Sequence, residues 1–341
     1  MKKKLLIVFL SLLLLAGIGA MLSSVGHIKD TLVRAEEAPK EATFLIMGLD
    51  GAARNSDVIM LVRHDPQANR LVFLQLPRDT YLEDDSGTGG KLNRFHAAAY
   101  AKTGNSEQAA KETAKHFSDA FDIKIDCCIT VEFSALSAIV DAIGGIPIVL
   151  PFPMEYTDPA QNLHISLPKG ETVLDGEAAL NFVRYRSGYT EGDLGRIDAQ
   201  KLFLSAFMKQ MESSLDPREV LALLTLPKDG LTFSCNEKTN LLQNIFNFYQ
   251  KRSLTQKVYI SLPGEAIQEN VDSGTWFYVI NRQATKDVLV RFFGLESLEF
   301  DPEERFTANK IHFENIYFDR ATTPRIYTEE ELEKIKILTK E

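Results

Sequence analysis

Cysteine is nearly missing from this chain, with three residues in 341: Cys127, Cys128 and Cys235. An odd count without repeated spacing does not make a disulfide framework, and no CxxC or HExxH segment offers metal ligands. Two of the three sit in a β-branched apolar run, IDCCITVEF, so buried free thiols are expected. A basic excess is missing as well. Thirty-eight Lys and Arg face 47 Asp and Glu, for a formal net charge of -9, the wrong balance for a protein that coats itself in nucleic acid. There is no internal repeat, no low-complexity tract, no helix-turn-helix and no convincing A-x-A cleavage site.

What is present is an apolar content of 45%, enough for a packed core at this length. Lys2, Lys3 and Lys4 precede a stretch without charge from Leu5 to Gly26. As a helix it would be about 33 Å long and would cross a bilayer's hydrocarbon core. The flanking charges predict a single-pass signal anchor over residues 1–26, with a cytoplasmic N-terminus and an extracellular remainder. Residues 27–41 read as a polar spacer, 42–300 as one extracellular domain, and 301–341 as a charged, solvated extension with a short helix from Thr328.

Within the domain, TFLIMGL, SDVIMLVRH and RLVFLQLP read as strands, the last two joined by a hairpin loop at DPQAN. Helices are predicted for EQAAKETAKHFSDAF with Ser106 as cap, EFSALSAIVDAI up to Gly144–Gly145, DGEAALNFVRY and GRIDAQKLFLSAFMKQMESSL. Further helices follow at DPREVLALLTL, at NEKTNLLQNIFNFYQ with Asn236 as cap, and at ATKDVLVRFF. KVYISL and TWFYVIN return the chain to β structure. Interleaved strands and helices imply a three-layer α/β/α domain with a central mixed β-sheet.

Three places set charge against apolar structure. With Asp65–Asn69 as the loop, the hairpin pairs Asp57 with Pro77 and Asn55 with Asp79. Asp57 and Asp79 then share a face beside Arg78, although a slip of one residue moves Asp57 to the other side. Lys91 and Asn93 follow a Gly-rich loop, SGTGGKLN, which is common surface punctuation or a place for close backbone approach. Arg184, Arg186, Asp193, Arg196 and Gln200 form the densest group. Arg184 and Arg186 reach one ligand together only if the helix ends near Tyr185, whereas Arg196 and Gln200 share a helix face. Carboxylates beside several arginines suit phosphoryl transfer, and equally a structural ion-pair network.

At these residues the chain resembles the LytR–CpsA–Psr family. FLIMGLD, NSDVIMLV, LQLPRDT, KLN, AIVDAIGGIPIVLP and LPKGETVLDGEAALNFVRYRSGYTEGDLGRIDAQ occur in the family's order, and SLPGE and GTWFYVIN extend the likeness to about residue 281. The resemblance implies transfer of a glycopolymer from a polyprenyl-pyrophosphate carrier to a peptidoglycan sugar hydroxyl, with release of polyprenyl phosphate. It implies a membrane-anchored protein whose partners are that lipid-linked glycopolymer and peptidoglycan, with Mg²⁺ or Mn²⁺ as cofactor. Asp57 and Asp79 match the acidic positions near metal and pyrophosphate. Arg78, Arg184, Arg186 and Arg196 match the pyrophosphate-binding arginines, and Lys91, Asn93, Asp193 and Gln200 match further polar positions. Asp57, Asp79, Arg78 and Arg186 are the expected catalytic residues.

Two departures stand out. Where the family commonly has arginine, this chain has Asn55, with Arg54 one place earlier, and Ala199 stands before Gln200. The family also implies an apolar slot for the polyprenyl tail. Phe182, Leu202, Phe203 and Phe207 have helical spacing, which serves plain core packing as readily. The alternatives to a transferase are a non-catalytic lipid carrier or wall-binding protein and a polyprenyl-pyrophosphate pyrophosphatase.

Overall fold

The computed structural model describes residues 40–51, 54–83, 89–159, 163–190, 192–214, 230–236, 238–268, 274–295 and 324–334. The expected anchor, residues 27–39 of the spacer, the helix at DPREVLALLTL, part of the Gly-rich loop, and residues 296–323 and 335–341 of the end of the domain and the extension lie outside the described residues.

Apolar, β-branched runs form the centre. Strands β1 (Ala42–Leu49), β2 (Ser56–Asp65) and β3 (Arg70–Leu76) make an antiparallel meander. Beyond β3, the short strands β4 (Tyr81–Glu83) and β5 (Gly89–Lys91) pair antiparallel. Strand β6 (Cys127–Glu132) adds parallel to β1, and β12 (Gln256–Ser261) adds parallel to β3. Strands β11 (Leu231–Cys235) and β15 (Ile326–Thr328) close the two edges antiparallel, giving one mixed sheet in the order β11-β6-β1-β2-β3-β12-β15. The expected central mixed sheet is present.

Both faces of the sheet are covered, as the near-continuous apolar strands require. On one side Leu45, Ile59, Leu61 and Leu74 pack against α2 (Ser106–Phe121) and α7 (Arg282–Phe293) through Phe117, Phe121, Leu289 and Phe292. On the other, Met60, Phe73 and Tyr259 meet α5 (Asp193–Ser214), α6 (Lys238–Lys251) and α8 (Glu329–Glu333). Helix α1 (Phe95–Thr103) precedes α2. A second core gathers α3 (Phe133–Ala142), α4 (Gly176–Arg184) and the hairpin strands β7 (Ile146–Leu150), β8 (Met154–Asp158), β9 (Leu163–Leu167) and β10 (Gly170–Leu174) around Phe182 and Phe203. Gly144 and Gly145 end α3 with φ near +84°, the left-handed turn that their sequence signals.

Four expectations need correction. Cys127 and Cys235 form a disulfide, and only Cys128 is a free buried thiol. The antiparallel register of β11 on β6 sets Cys127 directly opposite Cys235, a non-local pairing that the spacing of three cysteines does not reveal. The β2–β3 hairpin turns on Pro66–Asn69 with Asp65 paired to Arg70. Asp65 Oδ1 accepts from the amides of Gln67 and Ala68 at 3.1 and 2.9 Å, which keeps Asp65 in the strand and shifts the register by one residue. The cap of α2 is Asn105, whose side chain accepts from Gln108 N at 2.9 Å, rather than Ser106. Finally, residues 324–334 are not a solvated extension. β15 pairs with β12, Leu332 is buried at 1% exposure, and Thr328 caps α8 in a capping box.

Candidate active site

The hairpin and the turn after it carry the first charges. Continuing the observed register past Ile59↔Leu76 sets Asp57 opposite Arg78, and Arg78 Nη1 donates to Asp57 Oδ1 at 2.5 Å. The shifted register therefore joins the arginine to this carboxylate, where the sequence had set the two carboxylates side by side. Pro77 opens a tight turn in which Thr80 N and Thr80 Oγ1 both donate to Pro77 O. That turn is stitched to two other segments. Asn93 N donates to Arg78 O at 3.0 Å and Leu92 N to Thr80 O at 2.9 Å, while Tyr278 N donates to Asp79 O at 2.8 Å. The KLN segment thus reaches the PRD turn by backbone hydrogen bonds. It brings Lys91 Nζ to 3.0 Å from Asp79 Oδ1.

The second group comes from the chain between α4 and α5. Helix α4 ends at Arg184, and Tyr185 is extended at φ -62°, ψ 134°, so the helix stops where both arginines needed it to. Tyr185, Tyr189 and Phe152 pack edge-on or tilted at centroid distances of 5.5–6.2 Å. This aromatic anchor holds the turn that presents Arg186 to solvent. Gly195 allows α5 to approach it: a Cβ there would lie 2.6 Å from Tyr189 Cβ. Burial pushes the Tyr189 phenol far above its ordinary value, so it stays protonated at neutral pH.

Asn55, Arg78, Asp79, Lys91, Asn93, Arg94 and Arg186 line one open cleft of about 970 Å³. Among the described residues Arg186 makes no ion pair. Asn93 Oδ1 is buried and accepts no hydrogen bond there. The far wall is Gly274, Thr275, Trp276 and Phe277, which sequence reasoning did not assign to the site. Arg94 and Ser187 were missed too, although they adjoin KLN and Arg186.

Other expected site residues lie behind the cleft wall. Arg196 and Gln200 are buried at 5% and 7% exposure. Gln200 accepts from Gln75 Nε2 at 2.6 Å and donates to Val183 O at 3.0 Å, tying α5 to β3 and α4. The Arg184 guanidinium lies 5.2 Å over the Phe133 ring. Asp193 opens α5, and its side chain lies outside the described residues. Arg54 does not replace a cation at position 55: it bonds to Ser106 and Glu132 and stacks 4.0 Å over Tyr100. Ala199 is buried in the second core with Phe182 and Phe203. Leu202 lines a separate cleft of about 990 Å³ with Val149, Val173 and Leu332.

Among the described residues no three His, Cys, Asp or Glu side chains gather as a metal site. Mg²⁺ commonly takes one or two carboxylates and completes its shell with water and substrate phosphate. Asp79 lines the cleft paired with Lys91, and Asp57 is paired with Arg78. Each is a single ligand of that kind, for a cation brought with a phosphate substrate rather than for a closed, all-protein cage.

The model of the LytR_cpsA_psr family matches residues 22–291. A polyisoprenyl-teichoic acid–peptidoglycan teichoic acid transferase, TagV of Bacillus subtilis strain 168, is 31% identical over 334 residues, covering 89% of this chain and 80% of that protein. TagU of Oceanobacillus iheyensis, which bears the same transferase name, is 23% identical over 299 residues and covers 81% and 88%. The crystal structure of B. subtilis TagV shares the fold with a TM-score of 0.57 and 24% identity, over 74% of this chain and 96% of that one.

Proposed function

The chain belongs to the LytR–CpsA–Psr family, and from that premise we propose that it transfers a glycopolymer from a polyprenyl-pyrophosphate carrier to a peptidoglycan sugar hydroxyl. The observation that carries this reading is the cleft, which among the described residues is lined by Arg78, Lys91, Arg94 and Arg186 and by one carboxylate, Asp79. Three forked guanidinium donors and a lysine suit the oxygens of a pyrophosphate. The transferase names of relatives up to 31% identical support the same activity.

In this reading Arg186 and Arg94 bind the phosphate oxygens from solvent-facing positions. Arg78, oriented by Asp57, neutralises the charge that develops during transfer. Gln200 acts behind them by holding α5 against β3 and α4, and Arg196 is buried near Tyr189. The acceptor oxygen attacks the polymer-proximal phosphorus, the bond to polyprenyl phosphate breaks, and Asp79 takes the acceptor's proton because it is the carboxylate that lines the cleft. A divalent cation, Mg²⁺ or Mn²⁺, held by Asp57 or by Asp79 would supply further charge neutralisation on the pyrophosphate.

Lys2–Lys4 and the uncharged stretch to Gly26 support a single-pass anchor with the domain outside the cell. The Cys127–Cys235 disulfide fits the same oxidising side of the membrane.

The test is a transfer assay on the full chain in detergent with a synthetic polyprenyl-pyrophosphate oligosaccharide, peptidoglycan oligomers and Mg²⁺. A phosphodiester product with released polyprenyl monophosphate is expected. Glycosyl phosphate formed without any acceptor would make the protein a pyrophosphatase, and lipid binding without turnover would make it a carrier.

A further inference from the structure

The cleft has two unlike walls. One is charged, from Arg78 to Arg186. The other is the start of β14 (Trp276–Ile280), paired with β13 (Gly264–Gln268) in a separate hairpin. Burial does not explain its first residue. Phe277 fills the buried side of the strand, packed edge-on against Tyr81 at 5.4 Å, whereas Trp276 stays 52% exposed beside the cationic cleft. A large apolar ring left in water at the edge of a polar cleft suits a ligand that is apolar on one face and polar at its rim. A pyranose has that character, because its C–H groups can lie on an indole while its hydroxyls and amide point away. Among the described residues the same cleft lining carries a buried acceptor without a partner, Asn93 Oδ1, which a hydroxyl or amide N–H would satisfy.

The backbone says which sugar belongs there. Tyr278, two residues beyond Trp276 on the same strand, donates its N–H to Asp79 O at 2.8 Å and bridges Thr80. Trp276 is therefore fixed to the turn that carries Asp79, the carboxylate that takes the acceptor's proton. The sugar bearing the reacting hydroxyl has to lie on that side.

We propose that Trp276 and Asn93 form a pyranose subsite that holds the acceptor amino sugar face-on against the indole, with its hydroxyl turned toward Asp79. The assignment to the acceptor rests on the transferase reading above. The sugar-binding surface itself does not.

Trp276 is the only tryptophan in the chain, so emission of the full-length protein in detergent reports this one position. Peptidoglycan-derived N-acetylglucosamine–N-acetylmuramic acid oligomers should shift or quench that emission, and inorganic pyrophosphate alone should not. In the transfer assay Trp276→Ala should raise KM for the oligomers about five- to tenfold, with a smaller change in kcat and in KM for the lipid donor. Trp276→Phe should recover most of the loss. An unchanged acceptor KM in an active Trp276→Ala enzyme overturns the subsite while leaving the transferase standing. A raised donor KM alone moves the sugar to the donor and overturns the acceptor assignment. If the wild type transfers nothing, the transferase reading fails, and the emission titration still decides whether the surface binds sugar: silence with every oligomer overturns it.

Discussion

Arg78 and Arg186 carry the same charge and do different work. Arg78 is held by Asp57 at 2.5 Å and is half-buried, whereas Arg186 stands exposed on the turn between α4 and α5. Removing Arg186 takes away an exposed donor that lines the cleft, one assigned above to the phosphate oxygens. Arg186→Ala should therefore lower kcat/KM for transfer about 10²- to 10³-fold, with melting within about ±0.5 kcal/mol of the parent. Normal turnover in that variant would take Arg186 out of the reaction. The motif residues were legible in the sequence, and their separate tasks were not. Arg184 and Arg186 lie two apart in one motif, yet Arg184 stacks over Phe133 while Arg186 faces the cleft. Gln200 reads as a ligand residue, and its side chain bonds Gln75 and Val183 behind the cleft. Such roles depend on which neighbour a side chain meets, and that is decided by packing far away in sequence.

At the scale of elements, the edge strand β11 is short, its residues are only partly buried, and it is pinned by the Cys127–Cys235 bond. The sequence separation is 108 residues. By loop-closure entropy alone a crosslink of that span is worth on the order of 4–5 kcal/mol, and measured values are commonly smaller. Cys235→Ser, or reduction of the parent, should lower unfolding free energy by roughly 2–4 kcal/mol, read from urea midpoints with and without reductant. A midpoint that does not move would mean that β11 holds without its crosslink. The same strand shows where sequence reading stops. Long periodic elements such as α2, α5 and the β1–β3 meander were visible, because each carries its own pattern of burial. Five-residue strands such as β11 and β13, and the three-residue β15, carry no period long enough to recognise. Their existence is set by partners that pair non-locally. The hairpin register failed for a local reason: Asp65 caps its own turn through Gln67 and Ala68 instead of leaving the strand.

Among the described residues of the whole molecule, two imidazoles are buried, His64 and His96. His64 on β2 bonds to Asn244 of α6 at 2.6 Å and packs edge-on against Phe248. His96 in α1 contacts Arg54 O at 3.3 Å and is fully buried. Burial is the main cause that pushes both below the ordinary histidine value of 6.5. A folded state that resists a proton which the unfolded chain accepts loses stability on acidification. The contribution is complete above about pH 7. It declines as pH falls through 6.5 toward the lowered folded values, by at most about 1.4 kcal/mol per pH unit for each imidazole. Glu212, which burial raises above 4.5, works the other way, because its folded form takes a proton more readily than its unfolded form. Its stabilising effect grows as pH falls from its raised folded value toward 4.5, so it offsets part of the histidine loss. Thermal melts at pH 7.5, 6.5 and 5.5 should therefore show a Tm that holds and then falls. His64→Gln keeps a donor for Asn244 without the titration, so it should flatten the slope between pH 6.5 and 5.5 whatever it does to Tm at 7.5. A parent Tm that is level from 7.5 to 5.5 would mean that both imidazoles take up protons in the folded state as easily as in the unfolded chain. The layers around His64 and His96 would then be looser than their burial implies.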